Sequence, residues 1–250
     1  MWRELSPGDI EKESFEIIRR ELAEIGAPNI SEKEKWVLWR VIHATADFEY
    51  AKNLRFLNNA YEAAEKAFES GSTIVTDTNM ALSGISKPML KRYGINAICL
   101  TADEGVSKKA AELGVTRSSV AIEQAALLDP NAIFVIGNAP TALFRLCELI
   151  DEGKAKPRLV VGCPVGFVNV VQSKEEISRR GVPAIVAMGR KGGSNVAAAI
   201  VNAIMYGEEA SGVGGVGRDG RAGGDGGDGK VSGVGRAGGD ERDGKVSGDR

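Results

Sequence analysis

The chain has 250 residues, 43% of them hydrophobic and 26% charged, and its 32 Lys+Arg against 34 Asp+Glu give a formal net charge of −2. This is ordinary soluble composition, and so even a balance excludes the basic field that would hold a nucleic-acid backbone. No apolar run approaches the roughly 18–20 residues of a membrane span, and the charged opening residues lack the apolar core of a signal peptide, so no membrane association and a cytoplasmic location are expected. Cys99, Cys147 and Cys163 are odd in number and form no Cys-x-x-Cys pair. They support neither a disulfide framework nor a thiolate metal site, and read as buried apolar thiols.

In chain order, residues 8–26 and 31–46 carry helical periodicity, and the second stretch opens with Ser31 and Glu34 in capping-box spacing. A third helical stretch is expected around 56–70. Val- and Ile-rich runs follow at 72–77, 96–100, 132–137, 158–162 and 184–189, separated by helical sequence that includes 103–114, 116–128, 140–153 and 169–180. Five such repeats predict an α/β fold of three layers, α/β/α, with a mainly parallel five-stranded sheet. The three leading helices, without a strand among them, are expected at the sheet edge or over the site.

From Glu208 the composition changes. Residues 208–250 hold 16 of the 32 glycines and no Leu, Ile, Phe, Tyr or Trp, and both GRAGGD and DGKVSG recur after 15 residues. Such a segment cannot bury enough apolar surface to offset its ordering entropy, so a disordered tail is expected. Residues 1–207 then form the globular domain, with 25 basic and 25 acidic residues.

Open parallel sheets bind ligands beyond the C-terminal ends of their strands. There the sequence reads Asp77-Thr78-Asn79, Gly137-Asn138-Ala139-Pro140, Gly162-Cys163-Pro164 and Gly189-Arg190-Lys191-Gly192-Gly193-Ser194-Asn195. Glycine and asparagine also end strands and cap helices, so each loop alone is accounted for by chain geometry; four polar loops on one edge point to a ligand. The last opens a helix whose N-H groups, with Arg190 and Lys191, suit a carboxylate or phosphate. No G-x-G-x-x-G follows the first strand, and the body holds no Walker A, H-E-x-x-H or G-x-S-x-G pattern.

His43 is the only histidine. Helical spacing sets Trp36, Arg40, His43 and Asp47 on one face, beside an apolar stripe of Val37, Val41, Ala44 and Phe48. Asp47 could orient the imidazole or favour its charged form, and Arg40 could clamp a ligand carboxylate. On the first helix Ser14 interrupts the stripe Ile10, Ile17, Ile18 and Ile25, either as a ligand contact or bonded back to its own helix.

Several long motifs in order, Arg40-Val-Ile-His43-Ala-Thr-Ala-Asp47-Phe, Gly137-Asn-Ala-Pro-Thr-Ala-Leu-Phe144, Pro164-Val-Gly-Phe167 with Ser173-Lys174, and Gly189-Arg-Lys-Gly-Gly-Ser194, resemble the precorrin-8X methylmutases of cobalamin biosynthesis over about residues 8–206. The resemblance implies an isomerase that moves a methyl group from C-11 to C-12 of a tetrapyrrole without a methyl donor, giving cobyrinate or its metal-free equivalent. It further implies no cofactor and no resident metal, His43 as the catalytic acid/base, Ser14 and Arg40 as substrate-binding residues, and a homodimer with its site near the subunit interface. The wording after His43 is closer to members that act on cobalt-precorrin-8. A carboxylate-rich substrate of this kind also suits Thr78, Asn79, Arg117, Asn138, Arg190, Gly193 and Ser194 as contacts, and Asp47, as the neighbour of His43, is expected among the substrate-binding residues too. The competing reading is a corrinoid- or nucleotide-binding module of the same fold without chemistry.

Overall fold

The computed structural model describes residues 6–26 and 28–207; the expectation of a disordered tail lies outside them. The chain opens with α1 (Pro7–Ile25) and α2 (Glu32–Thr45), followed by α3 (Tyr50–Asn53), β1 (Leu54–Leu57), α4 (Ala60–Glu69) and β2 (Ile74–Thr76). Next come α5 (Asn79–Gly84), α6 (Lys87–Tyr93), β3 (Ala97–Ile98), α7 (Glu104–Leu113), α8 (Arg117–Leu128) and β4 (Ile133–Ile136). The last elements are α9 (Pro140–Asp151), β5 (Leu159–Gly162), α10 (Val170–Ser178), β6 (Ala184–Ala187) and α11 (Ser194–Tyr206). Ser31 and Glu34 make both hydrogen bonds of the capping box that starts α2.

The fold is α/β in three layers, and its sheet has six strands rather than the expected five, in the order β1-β6-β5-β4-β2-β3. The five anticipated strands are mutually parallel. The sixth, β1, which the sequence did not signal, pairs antiparallel with β6; it overlaps only the first two residues of the helical stretch expected around 56–70, and α4 supplies the rest of that helix. Asn58 and Asn59, both at φ near +55°, bar a helix from running through this point, since two consecutive left-handed residues end any right-handed helical path. Leu54 is buried and Arg55 exposed, and Asn58 Nδ2 donates to the Val182 carbonyl, so the short edge strand is fixed at both ends.

Alternate strand residues feed two cores. Ile133, Val135, Leu159, Val161 and Ile185 join α1, α2, α4, α6 and α11 on one face. Phe134, Ile136, Val160 and Val186 join α8, α9 and α10 on the other. Burial on both faces explains why these strands read as unbroken apolar runs. The chain leaves β2 toward the α11 side and β4 toward the α9 side, although the two strands are neighbours. That divergence is a topological switch point, where an open α/β sheet leaves a crevice at the strand ends.

On α1 the buried face is Phe15, Ile18 and Leu22, whereas Ile10, Ile17 and Ile25 of the anticipated stripe are exposed. On α2 the core side is Trp36, Val37, Leu38, Val41 and Ile42. Trp36 is buried, with its indole N-H donated to the Ala203 carbonyl of α11, and Ala44 is exposed rather than part of the core stripe. Cys147 and Cys163 are buried as expected, while Cys99 is only half-buried.

A β-carbon on Gly137 would lie 2.7 Å from Ser194 Cα and 3.0 Å from its backbone nitrogen. The contacts are backbone, which cannot swing aside. Gly137→Ala is therefore expected to lower stability by about 1–3 kcal/mol, as overpacking of a tight site does. An unchanged urea midpoint would mean that the β4 loop and the start of α11 separate freely.

Candidate active site

Asp77 follows β2 at the switch point and is 1% exposed. Its carboxylate accepts hydrogen bonds from the backbone N-H groups of Gly137 at 2.8 Å, Asn138 at 2.8 Å and Ala139 at 2.7 Å. Burial pushes the carboxyl above its ordinary range, and the three N-H donors oppose that rise by favouring the charged form. Thr101 Oγ1 donates to the Asp77 carbonyl at 2.9 Å, so β2, β3 and β4 are joined at one edge.

Above this latch a cleft of about 330 Å³ is lined by Thr78, Asn79, Thr101, Arg117, Ser118 and Asn138 among others. It unites four residues expected to bind substrate: Thr78, Asn79, Arg117 and Asn138. Arg117 is exposed and takes part in no ion pair among the described residues. Thr78 caps α5, and its hydroxyl lies 2.8 Å from that of Ser194 at the start of α11.

The helix starts offer fewer free donors than the sequence implies. The N-H groups preceding α9 face Asp77, and the Gly193 N-H is donated to the Cys163 carbonyl at 2.8 Å. Gly193 has φ of +126°, a conformation that strains any residue with a side chain. Arg190 is exposed, with its guanidinium 5.6 Å from the ring centre of Phe167, itself 83% exposed. A cation and an apolar face thus stand together on the strand edge.

His43 sits in the last turn of α2, exposed, with its ring stacked at 5.1 Å on the buried Phe15 of α1. No hydrogen-bond partner holds its ring nitrogens among the described residues. Arg40 is paired with Glu11 of α1 at 2.5 Å, and its guanidinium lies 5.6 Å from the rings of both Phe15 and Trp36. Ser14 donates its hydroxyl to the Ile10 carbonyl at 2.7 Å, the back-bonded arrangement. Helical spacing does not extend to Asp47, because α2 ends at Thr45 and Ala46 turns left-handed at φ +52°. Asp47 bonds instead to the Lys191 amine at 2.6 Å, which also lies 3.1 Å from Glu49. The ion pair joins the end of the histidine helix to the loop after β6.

A family model described as precorrin-8X methylmutase matches residues 9–207. The chain belongs to this family. It is 45% identical over 206 residues to the cobalt-precorrin-8 methylmutase of Salmonella typhimurium, covering 80% of this chain and 95% of that one. It is 41% identical over 197 residues to the precorrin-8X methylmutase of Pseudomonas aeruginosa, with 78% and 93% covered. The crystal structure of precorrin-8X methylmutase from Thermus thermophilus superimposes with a TM-score of 0.71 at 40% identity, covering 83% of this chain and 99% of that one. The activity of the family is that of an intramolecular isomerase, which sets the polar strand edge and the exposed histidine in an enzymatic context.

Two residues of this methylmutase fold escaped the reading of its sequence as site-forming. Asp77 was legible only as a polar loop residue, because the three amides it binds lie some sixty positions away. Lys174 of α10 is fully buried, and its amine donates to the carbonyls of Gly189 at 2.8 Å and Lys191 at 2.7 Å. A lysine with no exposed surface departs from the ordinary behaviour of its type, but only the structure says where its stem points. Burial brings its pKa down to about 8, with the neighbouring Cys163 acting the other way, and burial holds the Cys163 thiol up at about 12.

The sign of the lysine shift fixes a pH dependence. Between about pH 8 and 10.5 the unfolded chain holds a proton that the folded chain has released, so folding gains stability as pH rises through that window. Relative to Lys174→Met, the wild-type chain should gain on the order of 2–3 kcal/mol from pH 8 to 10.5. Urea denaturation of both proteins across the window measures it, and parallel pH profiles would show that Lys174 does not titrate there.

Proposed function

We propose that this chain converts cobalt-precorrin-8 to cobyrinate by moving the methyl group from C-11 to C-12, with His43 as the proton-transferring group. The supporting observation is the sole histidine itself: exposed, stacked on a buried aromatic ring, and at a helix end tied to the strand-edge loop by Lys191 and Asp47. A methyl shift within a conjugated macrocycle requires the reactive tautomer and a proton placed as the conjugation rearranges. One imidazole can supply that proton, a contribution of about 10²–10⁴-fold. The stacked Phe15 fixes the plane of the ring while leaving its nitrogens open.

The substrate is a large apolar disc rimmed by carboxylates. Arg117 and Arg190, without carboxylate partners among the described residues, suit that rim, and Arg40 would meet it in competition with Glu11. Thr78, Asn79 and Asn138 supply hydrogen bonds from the cleft, with Ser14, Gly193 and Ser194 as further contacts and Asp47 acting through the loop it holds. The cobalt form is favoured by the HATADF wording after His43 and by the identity of 45% to the Salmonella typhimurium relative, named for the cobalt substrate. A binding module without chemistry is disfavoured because the curated relatives spanning most of the chain are named as mutases.

His43→Ala should fold as the wild type does, bind product, and lose at least about 10²-fold in turnover. Absorption spectra recorded after mixing with cobalt-precorrin-8 and with precorrin-8X follow the conversion and discriminate the two substrates. Near-normal turnover by the variant would remove His43 from the mechanism.

The catalytic domain is residues 1–207 of a cytoplasmic homodimer, with residues 208–250 dispensable. Ile10, Ile17 and Ile25 along α1 and the pair Leu127 and Leu128 on α8 leave apolar surface open, and two-fold association is the commonest way to cover such surface. A chain truncated after Gly207 is expected to scatter light as a dimer and to match the full chain in turnover. A monomer mass, or a raised KM on truncation, would refute the corresponding part.

A further inference from the structure

We propose that Lys174 and Lys191 form a strut that positions His43: Lys174 fixes the loop after β6 from inside the protein, and Lys191 on that loop holds the end of the histidine helix from outside. The inference rests on His43 being the proton-transferring group, and it makes both lysines positioning residues rather than catalytic ones.

The inner half is the buried amine. Lys174 reaches from α10 to the carbonyls of Gly189 and Lys191, the two that flank Arg190. Two hydrogen bonds from one atom to alternate peptides define the path of three residues in a segment that has no sheet partner of its own. Gly189 has φ of +76°, and the other backbone ties of this segment, Gly166 N-H to the Arg190 carbonyl at 3.2 Å and Gly193 N-H to the Cys163 carbonyl at 2.8 Å, run to the β5 loop, so Lys174 is its link to α10. Burying an ammonium group is costly unless it is well bonded. Its depressed pKa, about 8, is the mark of that cost. A hydrophobic side chain would fill the same volume without it, so the amine is there for what it binds.

The outer half is an ion pair of a kind that contributes little to stability. The Lys191 side chain is 43% exposed and that of Asp47 is 26% exposed, and solvent screens such pairs. Its geometry is nonetheless specific. The amine lies between two carboxylates, Asp47 at 2.6 Å and Glu49 at 3.1 Å, and the Asp47 carboxylate also accepts the Glu49 N-H at 3.0 Å. These residues follow the left-handed Ala46, whose N-H closes the last turn of α2 on the Ile42 carbonyl at 2.7 Å. The final turn of α2, which carries His43, is thereby held against the loop that carries Arg190. The two groups reach the substrate from different elements, and the strut fixes their separation.

The test uses Lys191→Met, Asp47→Asn, the double variant and Lys191→Arg in the full chain, beside wild type and Lys174→Met. Lys191→Met and Asp47→Asn should each lower kcat by about 10-fold or more, as misplacement of a reacting group does, with KM and melting temperature little changed. The double variant should lose no more than the worse single one, and Lys191→Arg should recover most of kcat. Amide hydrogen exchange at residues 42–46 should quicken several-fold in both single variants, a readout that needs no turnover. An unchanged kcat in Lys191→Met with unchanged exchange overturns the strut. A raised KM at constant kcat also overturns it, since that result makes Lys191 a direct substrate contact. If the wild type itself does not convert the substrate while exchange quickens in the variants, the mechanical link stands and the catalytic reading of His43 falls. Lys174→Met, or Lys174→Gln should the first fail to fold, should lower kcat and quicken the same exchange, and no change in either readout overturns the inner half of the strut.

Discussion

Three backbone N-H groups converge on the buried carboxylate of Asp77, and the geometry of the strand edge follows from that convergence. β2 and β4 lie side by side but send their chains to opposite faces of the sheet, which would leave the amides of the β4 loop facing an empty crevice. A buried amide without an acceptor is expensive, and the carboxylate answers three at once. The same bonds commit the first N-H groups before α9 to the protein. The cleft beyond is therefore not a bare anion hole at a helix start. It is a polar recess of side chains, Thr78, Asn79, Arg117 and Asn138, whose floor is closed by Asp77.

The cations of the site divide by whether they already have a partner. Arg40 and Lys191 are paired with Glu11 and with Asp47 and Glu49, and both pairings join separate elements. Lys174 is satisfied by carbonyls inside the protein. Arg117 and Arg190 stand exposed with no ion pair among the described residues, and Arg190 lies over an exposed phenylalanine ring. Charges that build the site are thus distinct from charges left over for a ligand.

Partnering also corrects the reading of the histidine helix. Spacing of four, three and four residues sets Trp36, Arg40, His43 and Asp47 on one face only while the helix lasts. Trp36 turns into the core against α11, and the helix stops at Thr45, so Asp47 leaves the face that its spacing assigned. His43 has the aromatic ring of Phe15 as its neighbour instead of a carboxylate. The contact comes from α1, and no local pattern in α2 announces it.

Five parallel strands, the capped start of α2 and the polar strand-end loops were legible along the chain, because each depends on composition, periodicity or spacing within a few residues. Its ordered motifs also carried the methylmutase resemblance, since they are long enough to be specific without a structure. Which polar groups are already used became visible only once the chain was folded. Asp77 bonds to amides sixty residues away, Lys174 to carbonyls on the next strand's loop, and Lys191 to carboxylates more than 140 positions earlier. The edge strand β1 likewise depends on β6 for its partners. Hydrogen bonds and ion pairs act over about 3 Å in space with no regard for separation along the chain, so which groups are spent and which remain for a substrate is fixed when the sheet brings its loops together.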